Sequence, residues 1–295
     1  MPGNAVYIKP VEKESNKNMK RIVTVQDISC VGKCSLTVAL PIISAMGVET
    51  AIIPTAVLST HTMFSEFTCK DLTDQVEPIT AHWKKENLGF DAIYTGYLAS
   101  EEQIALLKKM FAEFKTEKNL VVVDPAMADN GKLYPAFDEK FAKKMAELCG
   151  CADIILPNIT EASFMTGIAY KEKYDEDYVE EMLLALAELG AKTVILTGVS
   201  FEEGKTGVMG YDSEAGEFYY YCHTKHAQSY HGTGDVFSST FVGAMMNGLT
   251  WQEAIKVAAD YTAECIRITM EDEEGCWYGV NFETAIPGLL KALGK

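Results

Sequence analysis

Short runs of aliphatic and β-branched residues, at 21–26, 49–58, 91–95, 120–123, 153–156 and 192–197, alternate along this chain with stretches of helical spacing. The helical stretches cover 34–46, 71–87, 101–115, 137–148, a short segment opened by Pro157-Asn158-Ile159-Thr160-Glu161, and 177–189. Strand–helix–strand order builds a parallel sheet, because each helix carries the chain back to start the next strand in the same direction. After 197 the pattern changes. Runs at 206–211 and 217–222 flank Asp212-Ser213-Glu214-Ala215-Gly216 as an antiparallel hairpin, and helices at 236–246, 251–269 and 282–290 finish the chain. The expectation is a single α/β domain over 20–295, with a mainly parallel central sheet, helices on both faces and an antiparallel edge near its C-terminal half. Residues 1–19 are polar and aperiodic and read as an extension ahead of that domain.

Charge narrows the function. The net charge is −16, so the global field draws the chain neither to nucleic acid nor to an anionic membrane. An anionic ligand must then be held by local amides, a few Lys side chains or a bound cation, which favours a metal–nucleotide complex. The eight Cys (30, 34, 69, 149, 151, 222, 265 and 276) contain no CxxC pair and read as free thiols in a reducing compartment. No apolar run is long enough to cross a membrane and no signal-peptide core is evident, so a cytoplasmic location is expected.

Polar residues interrupt the apolar runs at their carboxyl ends, where ligands gather in sheets of this kind. They are Asp27, His61 and Thr62, Tyr97, Asp124, Asn158 with Glu161, and Thr197. Towards the C-terminus, Gly232-Thr233-Gly234-Asp235 runs straight into a helical pattern. Glycines permit a turn whose successive amides converge on one anion, and the helix adds its positive end. A carboxylate in the first turn, Asp235, can accept a proton beside that anion, which suits phosphoryl transfer to an alcohol. The bland alternatives are a capped helix at 232–235 and a capping pair at Asn158 and Glu161.

These residues carry a resemblance. Val25-Gln26, Ser59-Thr60-His61-Thr62, Thr95-Gly96-Tyr97, Asp124-Pro125 with Asp129 downstream, Pro157-Asn158-Ile159-Thr160-Glu161 and Gly232-Thr233-Gly234-Asp235 occur in the order found in the ribokinase-like superfamily. Within it the sequence resembles the pyridoxal kinases over about residues 20–270. The resemblance implies ATP-dependent phosphorylation of the 5'-hydroxyl of pyridoxal, pyridoxine or pyridoxamine, with Mg²⁺, a monovalent cation such as K⁺ as an open addition, and a homodimer. It implies Asp235 as base, Gly232, Thr233 and Gly234 around the transferred phosphoryl, and Asn158 with Glu161 ordering Mg²⁺ and its waters. Asp124 and Asp129 would lie near the phosphates and metal, Thr197 on the nucleotide side, and His61, Thr62 and Tyr97 in the acceptor pocket.

Three departures bear on the acceptor. Asp27-Ile28 stands where pyridoxal kinases usually have Ser-His; a carboxylate there pairs with a protonated pyridine nitrogen or selects an aminopyrimidine. His231 precedes the glycine turn, and with His223 and His226 it gives a polar loop that matches no zinc pattern and reads as a lid or a plain surface loop, with Lys225 as a possible phosphate contact. Asp235 occupies the place where some hydroxymethylpyrimidine kinases carry Cys, which favours a simple base. The alternatives are a hydroxymethylpyrimidine kinase and a vitamer-binding regulator without turnover. Phe218-Tyr219-Tyr220-Tyr221 reads as a strand, Glu271-Asp272-Glu273-Glu274 as a solvated turn and Trp251 as core.

Overall fold

A computed structural model describes residues 19–273, 275 and 277–295. The extension expected at 1–19 lies outside the described residues except for its last position, Met19; so do Glu274 and Cys276.

The central sheet has nine strands in the order β11-β10-β9-β8-β5-β4-β1-β2-β3. Its parallel part comprises β1 (Arg21–Val31), β2 (Glu49–Thr60), β4 (Ala92–Thr95), β5 (Leu120–Val123), β8 (Ile154–Ile155) and β9 (Thr193–Val199). The hairpin β10 (Lys205–Asp212) and β11 (Glu217–Thr224) forms the antiparallel edge that the sequence indicates. The opposite edge is antiparallel too, through the short β3 (Cys69–Asp71), which no apolar alternation announces.

Strand residues alternate between two apolar layers. Val23, Val25, Ile93, Val121, Val123, Val194 and Leu196 face a core shared with helices α2 (Thr73–Lys85), α3 (Glu101–Phe114), α4 (Glu139–Cys149), α5 (Ile159–Thr166) and α6 (Glu176–Ala187). Ile22, Tyr94, Val122, Ile154 and Ile195 face the other core, formed with α1 (Leu36–Ala45), α7 (Thr233–Met246), α8 (Trp251–Glu271) and α9 (Phe282–Ala292). Period-2 alternation thus buries both faces at once, as a two-sided sheet requires.

Two local expectations change. The stretch 27–33 is not a loop from its start: β1 continues to Val31, and its register with β2 slips by one residue between Gln26 and Ile28, at Asp27. Pairing with the long β2 keeps this segment extended, which local sequence does not report. The polar loop expected from His223 begins later, because β11 runs to Thr224. A small hairpin, β6 (Ala128–Asp129) with β7 (Lys132–Leu133), also lies between β5 and α4.

Strand order reverses at β1, with β2 on one side and β4 on the other. The crevice beyond the carboxyl ends at such a reversal is where sheets of this class hold ligands.

Candidate active site

Gly232 caps α7 with φ 81° and ψ 1°, and offers no side chain to occupy the first-turn amides. Helices α3, α4, α5, α6 and α8 are each capped by a side chain, from Ser100, Asp138, Asn158, Asp175 and Thr250. At α7, as at α1, α2 and α9, no side chain caps the first turn, and residues 232–235 line the cleft. Glycine is required at 232 by close approach as well as by conformation: a Cβ there would sit 1.8 Å from the Lys33 carbonyl oxygen. Gly234 differs, since its φ is not positive and a Cβ would meet open space. Its lack of a side chain keeps the cleft clear.

The cleft, of about 390 Å³, is lined by Gly232, Thr233, Gly234 and Asp235 together with Asp124, Asp129, Asn158, Glu161 and Thr197. Each comes from the carboxyl side of the sheet. Asp124 follows β5 and is 8% exposed; Ser238, on α7, donates to its Oδ2 at 2.7 Å. Asn158 and Glu161 form a complete capping box at the start of α5: Asn158 Oδ1 accepts from Glu161 N, and Glu161 Oε2 accepts from Asn158 N, both at 2.9 Å. Glu161 Oε1 also accepts from Met127 N at 3.0 Å, and Asn158 Nδ2 donates to Ala128 O at 2.8 Å. The capping reading and the site reading thus coincide, since the box is built at the cleft wall. Thr197 lies within β9, with its N–H and hydroxyl on Pro157 O. Asp129 is exposed and is held by Asn130 N and Nδ2.

Crowded carboxylates raise one another. Burial, then Asp124, then Asp27 push Asp235 up to about 8 against one backbone N–H, from Ser35, that favours its charge. Burial raises Asp124, and burial followed by Asp124 raises Glu161 in spite of its backbone donors. Among the described residues, no Lys or Arg lines the cleft. Such a site gains from a cation, and oxygen-only donors suit a hard one.

Asp27, His61, Thr62 and Tyr97 are not among the residues that line this cleft, although Asp27 is close enough to Asp235 to raise it. Asp27 is 6% exposed and accepts from Ser35 Oγ at 2.6 Å and Ser29 Oγ at 3.3 Å. Burial raises it above the usual carboxylate range. Tyr97, after β4, is pushed up to about 12 by burial and then by Asp27. Gly96 before it must lack a Cβ, which would meet Gln26 Cδ at 2.8 Å. His61 is buried; Nδ1 accepts from Met63 N at 3.2 Å and Nε2 bonds Tyr278 O at 2.9 Å, the pattern of the Nε2–H tautomer. Its ring meets His231 at 4.6 Å. Thr62 is exposed on the turn after β2.

Sequence reading missed several site residues. Ser238 and Ser35 look like ordinary helix-start polar residues until their carboxylate partners are placed. Tyr134 lines the cleft beside Asp129, positioned by the β6–β7 hairpin; the signal available for that hairpin was Asn130-Gly131, both with positive φ. His223 lines the cleft from β11, and Lys225 is exposed outside it. The seven described cysteines are free thiols, and no described helix is long and apolar enough to cross a membrane.

The profile of the phosphomethylpyrimidine kinase family matches residues 40–278. A Bacteroides thetaiotaomicron protein, provisionally named a phosphomethylpyrimidine kinase and crystallised with pyridoxal, is 37% identical with a TM-score of 0.87, over 92% of this chain and 96% of that one. Pyridoxal kinase from Lactobacillus plantarum is 30% identical with a TM-score of 0.85, over 92% and 97% of the two chains. Pyridoxal kinase of Dictyostelium discoideum is 27% identical over 76% of this chain and 77% of its own length.

Proposed function

The chain belongs to the phosphomethylpyrimidine kinase family, a group of phosphotransferases with an alcohol acceptor, and from that membership we propose that it transfers the γ-phosphoryl group of ATP to the 5'-hydroxyl of a B6 vitamer. The observation that carries this reading is Asp235: a carboxyl group raised to about 8, set in the first turn of a helix whose amides have no side-chain cap. A base that titrates near neutrality is matched to taking a proton from an alcohol. Asp235 removes the hydroxyl proton as the 5'-oxygen attacks the γ-phosphorus. The new O–P bond forms while the bond from phosphorus to the β,γ-bridging oxygen breaks, and that electron pair leaves with ADP. The N–H groups of 232–235 hold the phosphoryl oxygens in transit.

The donor set fits Mg²⁺. Repelling carboxylates without a cationic side chain in the cleft call for positive charge, yet among the described residues no three His, Cys, Asp or Glu form a ready metal cage. Mg²⁺ commonly keeps several waters and shares its ligands with phosphates, so a cage is not needed. Asp124 and Asp129 would hold it, with Asn158 and Glu161 ordering its waters, and it would neutralise phosphate charge.

Asp27 supports a ring with a protonated nitrogen or an amino group on the acceptor side of Asp235, as in a pyridine or an aminopyrimidine. The 37%-identical relative crystallised with pyridoxal favours the pyridine. Hydroxymethylpyrimidine is the second reading, favoured by the family's name. The test is ADP release from Mg-ATP with pyridoxal, pyridoxine, pyridoxamine and hydroxymethylpyrimidine in parallel. Higher kcat/KM for a vitamer is expected. A pyrimidine preference would reassign the acceptor, and binding without turnover would point to a regulator.

A further inference from the structure

The cleft has a charge problem that its fixed groups do not solve. Asp124, Asp129, Glu161 and Asp235 line it, and among the described residues no Lys or Arg does. Lys33, the ammonium closest in sequence to the first β–α turn, is drawn away to Glu283 at 2.7 Å and Asn281 at 3.3 Å. The cationisable side chains among the lining residues are His223 and His231. His223 sits on β11, with Nδ1 on Thr224 O at 3.0 Å. His231 immediately precedes the glycine turn, and no hydrogen bond to its ring nitrogens is present among the described residues.

Two further observations bear on His231. Its ring is tilted against that of His61 at a centroid distance of 4.6 Å, which fixes where it stands. His61 is in turn locked, because Nδ1 accepts from Met63 N while Nε2 is on Tyr278 O. Burial holds His231 down to about 4 in the ligand-free protein, so it is neutral there at pH 7. His61 faces its ring, with Phe64, Trp277 and Tyr278 packed around the His61 ring, and His231 shares the cleft lining with Asp124, Asp129, Glu161 and Asp235.

We propose that His231 is a second catalytic group, whose imidazole contacts the phosphoryl group in transit and takes a proton from solvent when the nucleotide binds, supplying the cationic side chain the cleft otherwise lacks. A phosphate placed against the ring stabilises its charged form and reverses the effect of burial. The ring then opposes charge developing on the phosphoryl oxygens, beside the amides of 232–235. Ligand-free His231 stays neutral, so protein without nucleotide does not carry a desolvated cation against His61.

This inference rests on the kinase reading, and the experiment separates the two. Imidazole ¹⁵N spectra of the five histidines are followed against pH, alone and with Mg²⁺ and a non-hydrolysable ATP analogue; the signal missing in H231N identifies the residue, with H231Q as the alternative variant if H231N does not fold. Backbone amide shifts at Gly232 and Gly234 report nucleotide binding independently. The midpoint of His231 is expected to rise to about 6 or above when the nucleotide binds, and H231N is expected to lower kcat by about 10²-fold with the acceptor KM changed less than about threefold. A ring that stays neutral with nucleotide bound, or an H231N enzyme of unchanged kcat, overturns the proposal and leaves the base reading standing. Failure of the nucleotide to bind at all overturns both.

Discussion

Asp235 combines three conditions rarely met by a surface carboxylate. It has one stabilising backbone group in Ser35, two carboxylate neighbours in Asp124 and Asp27, and a part-buried place in the cleft wall. Truncation should therefore remove the base without removing the fold. D235A is expected to lower kcat by at least about 10²-fold with the nucleotide KM largely kept; near-normal turnover in a folded mutant would dismiss Asp235 as base. Asp27 is held by two hydroxyl donors, Ser29 and Ser35, and is the group we propose for the acceptor ring. D27N preserves shape and removes charge, so it should weaken the vitamer at least about tenfold while leaving ATP binding within about twofold. Equal losses on both substrates, measured by titration, would show that Asp27 supports the site as a whole.

At the scale of elements, the glycine turn works because two chain segments nearly touch. The β1–α1 connection brings the Lys33 carbonyl against Gly232, and the backbone of Ser35 in the same connection favours the charged form of Asp235. The two glycines of the turn should consequently fail in different ways. G232A meets both a positive φ and a backbone oxygen, so a Tm loss is expected, with the strained backbone alone costing about 1–2 kcal/mol. G234A meets neither and should fold normally, yet its methyl enters the phosphate space and should cut kcat/KM for ATP about tenfold or more. Thermal unfolding of the two proteins side by side checks this, and similar Tm losses would reject the division. A short helix, α5, carries a second dual role: its capping box also sets a wall of the cleft.

For the molecule as a whole, clustering of carboxylates sets the response to pH. A raised carboxylate binds its proton more tightly in the folded state, so its contribution is fully present below the unfolded value near 4 and is lost as pH rises through the folded value. For Asp235 that value is about 8, and Asp124 and Glu161 are displaced the same way. His231 acts oppositely, but only between its value of about 4 and the unfolded one near 6.5. Between pH 6.5 and 8.5 the ligand-free protein is therefore expected to lose Tm, less steeply in D235N and less steeply with Mg²⁺ and nucleotide bound. A flat or rising profile over that window would contradict the electrostatic account of the cleft.

The strand–helix alternation, read from residue spacing, is enough to establish a mainly parallel sheet with helices on both faces, because hydrophobic period is a local property that burial obeys. Asp124 and Asn158 with Glu161 are legible as cleft-lining residues for the same reason, since each follows an apolar run, and the glycine turn is legible from its glycines at a helix start. Other features depend on partners distant in sequence. The extension of β1 through Asp27 needed β2, the edge strand β3 needed its pairing with Ala56, Val57 and Leu58, and Ser238 acquired meaning only when Asp124, 114 residues away, came within hydrogen-bond distance. The spacing of residues along the chain determined which groups could meet in the crevice. Tertiary structure alone decided their charge states, because desolvation and repulsion act through space and have no counterpart in sequence order.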